Sequence, residues 1–540
     1  MEHENGHVVA TARIELTPQE TKLRNLLLDV ARYIDESKEI KEVLELRFAG
    51  GWVRDKLLRI PSHDIDTAIN AMTGHTFSLK LREYLDKPEN RKKHGIDEVS
   101  NLHKIAANPE KSKHLETVTT KLLGYDVDFV NLRKETYSDD SRNPQMEFGT
   151  AREDALRRDA TVNALFYNIH TDQVEDFTGG LQDMNDRLIR TPMQPYQTFV
   201  DDPLRILRLI RFAARLGFSI DPEVERTMSE PVILNALHIK ISRERVGVEI
   251  EKMLKNENAL TALKFIDRLG LYSTIFTDPT HDSIPVVDSS VWHTAYMCLD
   301  AILSNNSPRS IHQILMRTSE SWELAWLLAA LVPWAPLGAP RQTRPGAKRL
   351  PPYASMAARE GIKANHRTLN VITGAFRNWE AILKMKNDFV RGEVYTKQRD
   401  VVGMAIRRWD ADGGQWKLHA LLAIMVESLA AVEVAEGASL SSPKHLPDTD
   451  NRSRYGPFLA TWQQFFDHLT DLEILEAATT KRIIDGKELS KALGARPGVW
   501  MAPALDVVMA WQFRNPDMTD PKGAIDEVRQ RAEELGIPMN

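Results

Sequence analysis

The chain has 540 residues, with 70 Lys plus Arg against 76 Asp plus Glu, a formal net charge of −6, 42% hydrophobic and 27% charged residues. At about 100–200 residues per domain, this length excludes a single core and asks for about three to four units. The charge balance excludes a histone-like protein but not a nucleic-acid binder, because a local basic stripe binds phosphates even on an acidic chain. The single cysteine, Cys298, excludes a disulfide framework and a Cys-rich zinc finger. No apolar run of about 18 residues suggests a membrane span. The polar, acidic start lacks the features of a secretory signal or an Arg-rich transit peptide. A cytoplasmic or nuclear protein is expected, with a mitochondrial pool through an alternative upstream start.

In chain order, Thr17-Pro18-Gln19-Glu20 reads as a capping box, and Leu23, Leu26, Leu27, Val30, Ala31 and Ile34 follow at helical spacing. From about 44 to 180, short apolar runs alternate with glycine turns and predict strands at 44–49, 65–69, 117–123, 127–132, 164–169 and 173–177. The polar, mixed-charge run 80–114 reads as a long flexible insertion. After about 185 the strand signals nearly stop and helical patterns take over, as at 206–210 and 327–331. The proline-rich stretch 333–352 and the Ser/Pro/Gly/Asp-rich stretch 436–457 read as surface loops. The fold class is α+β: a small mixed sheet with helices, then a long all-α part.

Three features carry chemistry. The run Arg47 to Leu58 passes from strand through Gly50 and Gly51 into a helix, where exposed backbone N–H groups and the helix N-terminus favour phosphate, with Arg54 nearby. His63-Asp64-Ile65-Asp66 puts two carboxylates on one face of a strand. At about 7 Å along the strand they repel each other unless a cation lies between them, and oxygen ligands suit Mg²⁺. Asp128, inside the apolar strand Val127 to Leu132, is either a third metal carboxylate or an ion-pair partner of Arg133 or Arg54.

Gly-Gly-x-x-Arg-Asp followed by Asp-x-Asp resembles the first motif of the DNA polymerase β-like nucleotidyltransferases. Within them it is most similar to the class II CCA-adding enzymes and the related bacterial poly(A) polymerases. Further segments fit in order: Arg157 to Leu165 resembles the ribose-recognition motif, Asp176 to Asp183 the hinge motif, Asp201 to Arg208 the base-selecting motif, and Ser242 to Lys252 a supporting motif. Ile484 to Leu489 with Gly494 to Gly498 looks like the family's C-terminal tRNA-contacting region; read as residues alone it is a capped helix and a glycine turn. Two residues depart from the common pattern: His63 before the first aspartate, and Asp201 where many members carry Glu.

The resemblance implies a polymerase β-like head at 41–180 after a lead-in at 1–40, then an all-α neck at 181–255, body at 256–370 and tail at 371–540. It implies attack of an RNA 3′-hydroxyl on the α-phosphate of a nucleoside triphosphate. Asp64 and Asp66 are the expected catalytic residues and ligands of two Mg²⁺ ions. Gly51 and Arg54 would hold the triphosphate; Arg158, Asp159 and Asn163 would face the sugar. Asp202 and Arg205, three apart on a helix, would read the base edge of CTP and then ATP. Arg205, Arg208, Arg211 and Arg215 form a basic stripe, of which Arg208 and Arg211 are expected at the nucleotide. The expected partners are tRNA, CTP and ATP, with no membrane and no obligate protein partner. In the family, a loop such as that carrying Arg91-Lys92-Lys93-His94 helps to switch from C to A addition. Competing expectations are a poly(A) polymerase with the same head and a catalytically dead RNA-binding scaffold. A metal-dependent phosphohydrolase site at His281, Asp282 and His293 is disfavoured by spacing.

Overall fold

The Thr17 hydroxyl accepts from the Glu20 backbone N–H, and the Glu20 carboxylate accepts from the Thr17 N–H, so the predicted capping box starts helix α1 (Pro18–Ser37). The computed structural model in which this is seen describes residues 12–96, 118–138, 141–277, 286–316, 318–341, 350–411, 415–435 and 451–538. The six apolar residues predicted for the α1 stripe are all buried, as a 3.6-residue period requires of a one-sided helix.

Each predicted strand has a counterpart. In chain order the elements are β1 (Leu46–Ala49), α2 (Gly51–Leu57), β2 (Asp64–Ile69), α3 (Gly74–Asp86), α4 (Pro88–His94), β3 (Val118–Leu122) and β4 (Tyr125–Asn131). After them come β5 (Arg133–Ser138), β6 (Ser141–Phe148), α5 (Ala151–Leu156), β7 (Phe166–Asn168) and β8 (Gln173–Glu175). The predicted strands form one sheet ordered β3-β4-β2-β1-β7-β8, in which β2 and β4 run parallel and the other neighbours antiparallel. Side chains alternate across it. Phe48, Ile65, Val127 and Phe129 are buried, with Phe129 packed on Phe77 of α3 at 4.9 Å between rings. The register puts Ala49 opposite Asp66 and Ala68 beside Val130, and this face packs Ala49, Ala68, Val130 and Phe166 against Ala151 and Ala155 of α5.

Two expectations need correction here. The supposed insertion at 80–114 is helical through His94; its positions 97–114 lie outside the described residues. Phe77, Leu81 and Leu85 bury one face of α3, a helical spacing hidden among charges. Lys93 and His94 are docked on Asp29 of α1, at 2.6 and 3.1 Å. The β5–β6 hairpin was not predicted at all, because its strands are polar and include Pro144.

The chain continues through α6 (Gly180–Asn185), β9 (Leu188–Ile189), α7 (Pro195–Asp201), α8 (Arg205–Leu216) and β10 (Ser219–Ile220), with β9 and β10 paired. The first compact unit ends at Ser242.

The second unit, from Arg243 to Asn540, is helical among its described residues. Its core holds the fully buried Trp292, Trp326, Trp334 and Trp462. Helices cross closely at glycines: a Cβ on Gly247 would lie 2.0 Å from the Ile362 carbonyl oxygen. The proline-rich stretch includes a 3₁₀ turn at Val332–Leu337, anchored by the Trp334 indole N–H donating to the Phe276 carbonyl at 3.1 Å; positions 342–349 lie outside the described residues. The stretch 436–457 was expected to be a loop throughout, yet Asn451–Asp471 is helical with Pro457 inside it. One proline removes a single hydrogen bond, and burial of Trp462, Phe465, Phe466 and Leu469 outweighs that loss. Near the C-terminus, Asp485 caps the helix Gly486–Leu493, and Gly494, at φ 68°, closes it. His281 and Asp282 lie outside the described residues. No helix among the described residues is long and apolar enough to cross a membrane.

Candidate active site

Gly50 turns β1 into α2 with φ 66°, a conformation that favours glycine, and its N–H donates to the Leu165 carbonyl at 2.9 Å. A Cβ there would also lie 2.6 Å from Nη1 of Arg158 and 3.3 Å from the Asn163 carbonyl oxygen. Gly51 is different: a Cβ would meet Nη2 of Arg54 at an ordinary 3.6 Å.

Beside this turn, Asp64 and Asp66 stand exposed on the same face of β2. The parallel register sets Asp126 alongside Asp64 and Asp128 alongside Asp66. Asp126 is paired with Lys121 at 3.2 Å. One carboxylate oxygen of Asp128 is buried with no hydrogen-bond partner. The two arginines expected as partners of Asp128 pair elsewhere: Arg133 forms an ion pair with Glu135 at 3.0 Å, and Arg54 pairs with Asp55. The Asp66 carboxyl is pushed above the usual carboxylate range by desolvation, then by the charges of Asp128, Asp64 and Asp154, with Arg158 opposing.

Among the described residues no three acidic, His or Cys side chains converge closely enough to hold an ion unaided. The donor set nevertheless fits a hard divalent cation. It is all oxygen, it carries several negative charges within one face of the sheet, and it leaves a buried oxygen unpartnered. Mg²⁺ characteristically takes one or two carboxylates and completes its shell with water and substrate phosphates.

The residues expected around the nucleotide are held in a dense polar network. Arg158 donates to Asp154 at 3.0 Å and to the Asn163 carbonyl at 2.9 Å, with its guanidinium 4.9 Å from the Phe166 ring centre. Asp159 is buried and accepts from Arg208 at 2.6 Å and Asn163 at 3.3 Å. Burial raises its pKa, but the Arg208 charge and these hydrogen bonds outweigh that and hold it below the usual range. Arg54 is 3% exposed; it donates to Asp55 from Nε and Nη2 and to the Asn163 side-chain oxygen from Nη1. Desolvation lowers its pKa. As placed, Arg54 ties α2 to Asn163.

The base-selecting segment also departs from expectation. Asp202 and Arg205 are not an i, i+3 pair on one helix. Asp202 ends α7 in an extended conformation (φ −138°) and caps the next turn by accepting from the Leu204 N–H at 3.1 Å. Pro203 cannot supply an N–H, so the chain turns here before α8 begins at Arg205. Arg205 is buried and donates to the Arg157 carbonyl at 2.7 Å. Nor is the arginine stripe a merely solvated face. Arg208 pairs with Asp159, Arg211 lies 4.4 Å from the Phe212 ring centre, and Arg215 pairs with Asp55 at 3.1 Å. Sequence reasoning missed Asp154, which its helical spacing to Arg157 and Arg158 signals, and Asp55, whose partner Arg215 is far along the chain.

Residues 46–190 match the family model described as the poly A polymerase head domain, and 217–284 match one described as "Probable RNA and SrmB- binding site of polymerase A". The chain is 50% identical to the nucleotidyltransferase lcsQ of Purpureocillium lilacinum, over 98% of this chain and 94% of that one. It is 38% identical to the mitochondrial CCA tRNA nucleotidyltransferase of Saccharomyces cerevisiae, over 96% and 94%. The fold matches a solved apo form of a CCA-adding enzyme with a TM-score of 0.60 at 18% identity, covering 95% of this chain and 96% of that one. The likeness runs through both units of the molecule, and the chain belongs to the class II CCA tRNA nucleotidyltransferase family of the polymerase β-like superfamily.

Proposed function

We propose that this protein adds C, C and A to the 3′ end of tRNA from CTP and ATP, without a nucleic-acid template, releasing pyrophosphate. The observation that carries this reading is the exposed pair Asp64 and Asp66 beside the Gly50–Gly51 turn, in a chain so similar to a CCA tRNA nucleotidyltransferase. The family is generally dependent on a divalent metal, and two Mg²⁺ ions are proposed here, with Asp64 and Asp66 as ligands. When bound, Mg²⁺ supplies a Lewis acid that lowers the pKa of the attacking hydroxyl and neutralises charge on the leaving pyrophosphate.

The chain's own residues bind and orient the reactants. Gly51 lets the triphosphate approach the N-terminus of α2, which Arg54 ties to Asn163. Arg158, Asp159 and Asn163 face the ribose, where an unpaired polar group would penalise a deoxynucleotide. Asp202 and Arg205 read the base edge as acceptor and forked donor, and Arg208 and Arg211 add positive charge for phosphates. The tail segment Asp485 to Gly498 contacts folded tRNA. The division into head 41–180, neck 181–255, body 256–370 and tail 371–540 belongs to the same proposal. So does a mitochondrial pool beside a cytoplasmic or nuclear one, since the yeast relative is a mitochondrial enzyme.

The family models named for poly(A) polymerase match residues 46–190 and 217–284, whereas the likeness to the tRNA enzyme extends over nearly the whole chain. The test is extension of a tRNA transcript lacking its CCA end, with Mg²⁺ and CTP, ATP or both. Two additions with CTP alone and three with both support the reading; a long ladder with ATP alone overturns it.

A further inference from the structure

Six side chains in the first unit close a ring that begins and ends on α8. Arg215 donates to Asp55 at 3.1 Å; Asp55 accepts from Arg54 at 2.6 Å; Arg54 donates to the Asn163 side chain. Asn163 donates to Asp159 at 3.3 Å, and Asp159 accepts from Arg208 at 2.6 Å. The ring ties the glycine-turn helix α2, the 159–163 segment and α8 together. Phe212 packs against two of its members: the guanidinium carbons of Arg208 and Arg54 lie 5.5 and 5.8 Å from its ring centre, and that of Arg211 4.4 Å.

Arg208 and Arg215 are seven residues apart, so they share a helix face about 10 Å apart along the axis. Arg205, on the Arg157 carbonyl, and Arg208, on Asp159, both hold the first half of α8; Arg215, two turns beyond Arg208, adds an attachment in the last turn that fixes the tilt of the helix. Arg205 sits one turn before Arg208, at the end of α8 opposite Arg215. Any pivot about the Arg208 clamp therefore moves Arg205 relative to the glycine turn.

We propose that Asp55 and Arg215 are specificity-determining positioning residues, which hold α8 so that its N-terminal end presents the base-selecting groups at a fixed distance from the triphosphate turn. Neither residue is among those assigned to the nucleotide in the proposed function. Removing Arg215 leaves Asp55 still paired with Arg54, so the turn stays intact while α8 loses its ion pair in the last turn. The expected loss is in discrimination rather than in chemistry. The inference rests on the tRNA nucleotidyltransferase reading above.

The experiment compares wild type, Arg215→Met, Arg215→Lys and Asp55→Asn in single-nucleotide addition to tRNA lacking CCA, with CTP, ATP, UTP and GTP each in turn. Melting temperatures are measured alongside. In Arg215→Met, selectivity for CTP over UTP falls about tenfold through KM, with kcat for CTP within about twofold of wild type. Arg215→Lys, which keeps the charge, regains most of that selectivity. Asp55→Asn in the Arg215→Met background adds little further loss of selectivity, because the two act as one clamp. Unchanged selectivity, an equal fall in kcat/KM for all four nucleotides, or a Lys variant as poor as the Met variant each overturns the proposal. A wild-type protein that adds no C overturns the function reading and the proposal with it. One that adds CCA while Arg215→Met keeps its selectivity overturns the proposal alone.

Discussion

Asp128 stands directly alongside Asp66 in the parallel pairing of β4 with β2, and one of its carboxylate oxygens is buried without a partner. Desolvation first, and then the charge of Asp128 and its acidic neighbours, raises the Asp66 pKa against the opposing charge of Arg158. Because its folded-state pKa is raised, the penalty is absent below the unfolded value and fully present above the folded one. Asp66→Asn is therefore expected to raise the melting temperature of metal-free protein at neutral pH while abolishing nucleotide addition. The gain should fade as the pH falls towards about 4. Calorimetry in EDTA and in MgCl₂ checks this: Mg²⁺ should stabilise wild type more than the variant, and equal stabilisation of both would remove Asp66 from the metal site.

The role of Asp128 separates by a second substitution. If it only repels Asp66, Asp128→Asn moves the acid limb of activity to lower pH and leaves Mg²⁺ affinity unchanged. If it binds or orients the cation, affinity falls by about tenfold or more. Titration of Mn²⁺ as a paramagnetic probe distinguishes these outcomes without relying on turnover.

The adjacent glycines should respond differently to the same change. Gly50→Ala strains a positive φ and drives a methyl group into Arg158, so both stability and activity should fall. Gly51→Ala meets only the end of Arg54 at 3.6 Å, so its melting temperature should stay near wild type. A raised KM for CTP in that folded variant would identify phosphate approach as the reason for glycine there. An unchanged KM would leave Gly51 as a plain turn residue.

Much of this site was legible because its signals are local. Two glycines between a strand and a helix, and two aspartates at a strand's two-residue period, need no distant information. The strands of the main sheet announced themselves by apolar runs bounded by turns. What stayed hidden depends on tertiary contact. The sequence places Asp202 and Arg205 at helical spacing, but whether α8 starts before or after Pro203 is decided by packing. Asp55 closes the Gly-Gly-x-x-Arg-Asp motif, but its pairing stays hidden until Arg215 is brought to it from 160 positions away. The polar β5–β6 hairpin lacks the alternation that would mark it, and the apolar face of α3 is diluted by surrounding charge.

Asp154 holds Arg158, the arginine proposed to face the ribose. It is 1% exposed and lies between Arg157 and Arg158, bonding both. Burial alone would raise its pKa, but the charges of Arg158 and Arg157 and their hydrogen bonds outweigh it and depress it. A depressed carboxylate contributes stability above its unfolded pKa and loses it as the pH falls through the folded one. Asp154→Asn takes the buried counter-charge from Arg158 and one of two from Arg157, which keeps Glu135 at 3.1 Å; the loss costs about 3 kcal/mol. The deficit against wild type should be complete at pH 7 and should narrow as the pH drops below about 4. Arg158 should also lose its fixed direction towards the sugar. In the folded variant, the preference for CTP over dCTP should therefore fall more than kcat for CTP does. Urea melts across pH, with parallel CTP and dCTP kinetics, measure the two effects separately. A variant that is destabilised yet keeps full ribose selectivity would assign Asp154 to folding alone.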